Sequence, residues 1–135
     1  MKALTLTQPW AQLVILGHKR FETRGWTTAY RGPLAIHAAK GWTADDRDYA
    51  REFGFDPETL VRGAVIGEVY LQGTYRTEDI VRHVGVAEER MGDFGPGRFA
   101  WELIAPIAYP VPQFVRGALG LWEWDAARHA EAAGR

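Results

Sequence analysis

Short stretches of period-two hydrophobicity alternate along the chain with short stretches of helical spacing, and glycine or proline closes most of them. "ALTLT", residues 3–7, alternates as a half-buried strand does. In "TQPWAQLVILG", Trp10, Leu13 and Val14 fall at i, i+3 and i+4, one face of a helix. Thr7 is a candidate cap for that helix, Pro9 suits its first turn and Gly17 its stop. The pattern next predicts a strand from Lys19 or Arg20 to Arg24, a polar connection "TTAYRG", and a strand "PLAIHAA". Residues 43–60 read as a helix opened by a capping box of Thr43 and Asp46. "GAVIGEVYLQG" is a strand bounded by glycines, "TEDIVRHV" a short helix capped by Thr77, and "ERMGDFGPG" a loop. "RFAWELI" alternates, with Phe99, Trp101 and Leu103 on one face. "YPVPQFV" carries two prolines, which lack the ladder donor, so it is extended or an edge. "GALGLWEW" is the last strand, and Asp125 opens a polar, Ala-rich tail over residues 125–135. About six short strands with short helices between them predict an α+β domain over residues 1–124, a small β-barrel decorated by helices.

Composition adds boundaries to this picture. A chain of 135 residues holds one sizeable core. The absence of cysteine excludes disulfides and thiolate metal sites and fits a reducing compartment. The longest strongly apolar run, "LVIL", is far short of the roughly 20 residues of a helical membrane span. No basic segment followed by an apolar stretch opens the chain, so a cytoplasmic location without membrane association is expected. The net charge of -1 hides an asymmetry: residues 1–40 hold six lysines and arginines and a single acid, whereas residues 41–135 hold ten basic and sixteen acidic residues. A basic segment suits an anionic partner, although folding can interleave the two signs.

The candidate chemistry concentrates in that basic segment. On a strand, Arg20, Glu22 and Arg24 share one face, and Phe21 and Thr23 the other. Guanidinium forks suit phosphate or a base edge, and a desolvated Lys19 could act as a base. A solvated charge ladder has the same spacing, so spacing leaves both readings open. Trp10, Trp26, Trp42 and Tyr30 lie among the cations. Single-stranded nucleic acid needs such interleaving, because each base stacked on a ring contributes about 1–3 kcal/mol. Trp10 shares the apolar helix face and reads as core; Trp26, in a polar segment, is the better stacking candidate. No two histidines have zinc-pair spacing, and Asp45, Asp46 and Asp48 are accounted for by the dipole of the helix they open. No metal or other cofactor is expected. No Walker A, G-x-G-x-x-G, G-x-S-x-G or H-E-x-x-H motif occurs.

"LTQPWAQLVILGHKRFETRGW", "YRGPLAIHAAK", "GAVIGEVYL", "GRFAWEL" and "GALGLWEW" together resemble the ASCH domain family, whose members have a PUA-like β-barrel. The ordered pattern Q-P-W-A, G-x-K-x-x-E-x-R, Y-R-G-P carries the resemblance. It implies a cleft between the barrel and the first helices, lined by Lys19, Glu22 and Arg24, with Gln8, Pro9 and Trp10 beginning the cleft-side helix and Tyr30 and Arg31 preceding the strand that holds His37. It implies a ligand that is single-stranded RNA or a modified nucleoside, with Trp26 or Tyr30 stacking on a base, Glu22 accepting from a base amine, and Lys19, Arg24 and Arg31 meeting phosphate or carbonyl oxygens. Two other readings stand beside it: a hydrolase, either a ribonuclease or an amidohydrolase on acylated nucleosides, using Lys19 and Glu22, and a protein-interaction module. Glu22 stands where the amidohydrolase-like branch has its threonine nucleophile, and Arg20 where many members have threonine.

Overall fold

The computed structural model of the protein describes residues 1–126. Its strands are β1 (Lys2–Leu6), β2 (Phe21–Arg24), β3 (Gly32–Ala38), β4 (Ala64–Arg76), β5 (Phe99–Phe114) and β6 (Leu121–Glu123). Its α-helices are α1 (Trp10–Ile15), α2 (Ala44–Glu52), α3 (Thr77–Ile80) and α4 (Val86–Glu89). The strands form a single sheet in the order β2-β5-β4-β3-β1-β6, in which only β1 and β3 run parallel. The pairing of β4 with β3 and β5 shifts register at several points. Each shift adds twist, and the sheet curls into the α+β half-barrel that the alternating pattern predicts.

The inner face of the curl holds the main core, with Leu4, Leu6, Leu34, Ile36, Leu71 and Trp101 among its members. Helix α1 adds Ala11, Val14 and Ile15 to that core. A Cβ at Gly67 would lie 2.4 Å from the Ile107 carbonyl and 2.8 Å from Ile15 Cδ1, so glycine lets β4 approach both β5 and α1. Ala3, Ala35, Val65 and Trp124 form a second cluster on the other face, and Phe21, Phe94 and Ala100 a third beside β2. Gly17, at φ +81°, ends α1 as expected, and the Thr43–Asp46 capping box opens α2 with both of its hydrogen bonds.

Several boundaries differ from the sequence pattern, each for a local reason. The helix expected over 43–60 ends at Glu52, because Gly54 turns left-handed at φ +89°; a 3₁₀ turn, Pro57–Thr59, follows. Thr77 lies inside α3 instead of capping it, and its hydroxyl donates to the Gly95 carbonyl at 2.6 Å. The segments "RFAWELI" and "YPVPQFV" are one strand, β5. Strand β2 covers β5 only over Phe99–Glu102, so Pro106, Pro110 and Pro112 lie where one side of β5 has no partner strand. Proline is tolerated in such an edge. Most of the Ala-rich tail lies outside the described residues. Among the described residues, no helix is long and apolar enough to cross a membrane.

Candidate functional site

Curling the sheet leaves a seam between β2, at one end of the strand order, and β1, near the other. Strand β6 pairs β1 only through Lys2, Ala3 and Leu4, so the carbonyl of Thr5 is the first on that edge without a strand partner. Arg24 supplies one: its Nη2 donates to the Thr5 carbonyl at 2.8 Å. The register places Glu22 opposite Trp101 and Arg24 opposite Phe99, so both charged side chains project to the inner face. There they meet. Arg24 donates Nε to Glu22 Oε2 at 3.1 Å, with Nη2 of the same guanidinium 3.0 Å from that oxygen. Arg24 thus commits Nε and Nη2 to the protein and keeps Nη1 as a donor. Thr5, Thr7, Trp10 and Arg98 line the cleft of about 340 Å³ into which the pair opens.

Lys19 lies beneath this cleft and does not line it. It is only 2% exposed, and its ammonium donates to the Phe21 carbonyl at 2.5 Å and the Met91 carbonyl at 2.8 Å. Its Nζ is 3.8 Å from Glu22 Oε1. Burial pushes its pKa down, while the carboxylates of Glu22 and Glu88 pull it back. Glu88, buried on α4, accepts from the backbone N–H groups of Arg20 at 2.9 Å and Phe21 at 3.3 Å. Lys19 and Glu88 together therefore fasten the start of β2 to α4 and the segment after it. Arg20 is exposed, and its guanidinium rests 3.7 Å from Glu88.

The other expected residues take varied places. Trp10, whose spacing reads as core and which the resemblance places on the cleft-side helix, is half-buried: it packs on Tyr49 of α2 and on Phe53 just after that helix, with ring centroids 5.4 and 5.8 Å away, and lines the cleft. Trp26 does not line it. Its ring meets Trp101 edge-on at 4.8 Å, and its carbonyl accepts from Trp101 Nε1 at 3.2 Å. Gln8 is fully buried, bonded through Nε2 to the Val61 carbonyl at 2.8 Å, and its Oε1 accepts from the Gln12 N–H at 2.9 Å. It caps α1 in the manner expected of Thr7. Tyr30 donates to the Pro33 carbonyl at 2.6 Å, and Arg31 to Thr28, Tyr30 and Thr74, so both tie the connection before β3 to its surroundings. His37 is 3% exposed on β3. It accepts from the Thr5 hydroxyl at Nδ1 (3.2 Å) and donates from Nε2 to the Val115 carbonyl (2.7 Å). Burial lowers its pKa, against the Val115 bond.

Of the nine expected residues, the fold brings Trp10, Glu22 and Arg24 to one cleft, with Lys19 as its foundation. Thr5, Thr7 and Arg98 were missed. Arg98 holds Thr23 and Asp93 through their carbonyls; its one sequence signal was its place just before the alternating "FAWEL". Glu88 gave no signal, since it falls between the short helix "TEDIVRHV" and the loop "ERMGDFGPG". Among the described residues, no three histidines or carboxylates gather as a metal set. The cleft places side by side a carboxylate that accepts and a guanidinium that donates, beside the Trp10 ring.

A family model of the ASCH domain matches residues 4–112. An ASCH protein from Zymomonas mobilis, in its crystal structure, superposes with a TM-score of 0.62 at 14% identity, covering 98% of this chain and 93% of that one. Crystal structures of two mutants of that protein superpose over the same share of this chain, at TM-scores of 0.61 and 0.62 with 13% and 14% identity, covering 94% and 96% of those chains. No curated protein matches the sequence. The identity is low enough that the superposition speaks for the fold alone, but the family match spans most of the chain and includes both sides of the seam: the chain belongs to the ASCH domain family.

Proposed function

We propose that the protein binds single-stranded RNA or a modified nucleoside, seating one base in the cleft of Glu22, Arg24 and Trp10. The observation that supports this most is the Glu22–Arg24 pair, fixed by the Thr5 carbonyl and turned into an open cleft instead of outward as a surface ladder. A carboxylate accepts from an exocyclic amine, and a guanidinium donates to a neighbouring ring nitrogen or carbonyl. Cytosine and adenine carry that amine; uracil does not. Trp10 offers the face on which such a base stacks.

Titration of the protein with cytidine, adenosine, uridine and short single-stranded RNAs tests the reading. Binding of the amine-bearing nucleosides ahead of uridine, and of RNA with a steep salt dependence, is the expected result. No binding of any of them at low salt overturns it.

A second reading is a hydrolase in which Glu22, in the cleft and 3.8 Å from the Lys19 ammonium, activates water. Lys19 is then a positioning residue, since two backbone carbonyls hold its ammonium away from the cleft. Product formation from RNA or an acylated nucleoside, lost in Glu22→Gln with binding retained, would establish this reading. Binding without turnover would dismiss it.

A further inference from the structure

A second pocket, of about 830 Å³, opens on the other side of Thr5. Its floor is the Thr5–His37 pair, and its apolar walls include Ala39, Phe114 and Val115. The segment after β5 lies directly on that floor: a Cβ at Gly117 would come within 2.6 Å of Thr5 Oγ1 and 2.7 Å of His37 Nδ1. The polar rim is cationic. Lys40, Arg62 and Arg116 line the pocket, and among the described residues no carboxylate does. Among the described residues none of the three takes part in an ion pair.

Arg62 is also held in place. One of its amino groups donates to the Lys40 carbonyl, and its guanidinium lies 4.9 Å above the Trp42 ring. The far face of the pocket adds exposed apolar surface at Phe114 and Leu119. Like charges gathered without counter-charges cost stability through mutual repulsion, and an anionic ligand relieves that cost. Apolar walls beneath a cationic rim suit a ligand with a flat apolar part and a phosphate.

We infer that Lys40, Arg62 and Arg116 form a second nucleotide subsite, which holds the phosphates and one base of a single-stranded RNA whose neighbouring base occupies the Glu22–Arg24 cleft. The inference deepens the function proposed above and rests on it for the path of the strand. Thr5 joins the two: its carbonyl receives Arg24 on one side, and its hydroxyl meets His37 on the other. The preferred ligand is accordingly a strand and not a free nucleoside.

The test compares cytidine, inorganic phosphate and an oligocytidylate RNA of about eight nucleotides. Each is titrated against the full chain, the triple variant Lys40→Ala, Arg62→Ala, Arg116→Ala, and the single variant Arg116→Glu. Arg116 is exposed and bonded to no described residue, so the single variant reports binding even if the triple variant folds poorly. The expected result is that the oligonucleotide binds at least tenfold more weakly to the triple variant at low salt. Its slope of log affinity on log salt falls by about 2 in magnitude, from three lost phosphate contacts at about 0.7 each. Cytidine affinity stays within twofold, and Arg116→Glu weakens the oligonucleotide in the same direction. Unchanged oligonucleotide affinity and salt slope in both variants overturn the subsite, as does inorganic phosphate competing with the oligonucleotide so well that a strand has no advantage. If the unmodified protein ignores cytidine while both variants still lose the oligonucleotide, the subsite stands and the base cleft is what fails.

Discussion

Two pockets share Thr5, and they are built on opposite electrostatic plans. In the seam cleft and beneath it every charge has a counter-charge or a carbonyl: Arg24 holds Glu22 and Thr5, and Lys19, below, holds two carbonyls near Glu22. In the pocket beyond β1, three cations stand without an acid among the described residues. A matched set presents donors and acceptors in fixed directions and discriminates between ligands more than it attracts them. An unmatched set attracts anions and does little to sort them. The cleft is therefore read as the reader of a base edge and the pocket as the source of salt-dependent affinity.

The sharpest way to break this contrast is through stability. Lys19→Ala strips a buried network of its cation, leaving the Phe21 and Met91 carbonyls without that donor and the Glu22 and Glu88 carboxylates without its charge; about 3–5 kcal/mol of unfolding free energy should be lost. Arg116→Ala, in the unmatched pocket, should change stability by no more than about 0.5 kcal/mol. Urea unfolding of both variants measures the difference, and equal losses would erase the distinction between the two plans. Arg24→Ala should come next, weakening amine-bearing nucleosides by about 1.5–3 kcal/mol, the range for a hydrogen bond to a charged group. Its effect on the salt slope for RNA should be small beside that of the triple cation variant, because Arg24 is already neutralised by Glu22.

Smaller again is the aromatic contribution. Trp10→Ala should lower affinity for an RNA strand by about 1–3 kcal/mol if its ring is a stacking face. Trp26→Ala should lower it less, since the Trp26 ring lies outside the cleft; fluorescence titration of both variants ranks them. The smallest effect is a slope with pH. His37 titrates near 6.5 in the unfolded chain and lower in the folded protein, where burial disfavours its charge. The unfolded chain then takes up the proton first, so this group's contribution makes stability fall as pH drops below about 6.5 and leaves it level above. In His37→Gln, denaturant midpoints measured from pH 8 to 5 should lose that component.

Much of the scaffold was legible because its signals are local. The Thr43–Asp46 box, the Gly17 stop and the face shared by Phe99, Trp101 and Leu103 each depend on residues a few positions apart, and the fold keeps all three. The residues of the G-x-K-x-x-E-x-R pattern are equally close in sequence, and its Glu22 and Arg24 meet on one face of β2. What spacing could not convey is that Lys19 faces the Met91 carbonyl and that Glu88 receives the backbone of β2, since those contacts span about 70 residues of sequence. A lysine beside a glutamate and two arginines looks like a cleft residue in either case; burial separates a foundation from a wall. Trp10 misled for a related reason. Its helical face is apolar, yet the ring sits at the rim where α1 meets α2, half in the packing and half over the cleft. The cationic pocket left no motif at all: Lys40, Arg62 and Arg116 come from three separate connections and meet only after β3, β4 and β5 are side by side.

The central claim is that Glu22 and Arg24 act as a fixed acceptor–donor pair for a base edge. Calorimetric titration of cytidine and uridine against the unmodified protein and Glu22→Gln tests it most directly. The account predicts that the unmodified protein prefers cytidine and that Glu22→Gln, which replaces a pure acceptor by a group that also donates, loses that preference while remaining folded. Equal affinity for the two nucleosides in the unmodified protein, or a cytidine preference that survives Glu22→Gln intact, would contradict it.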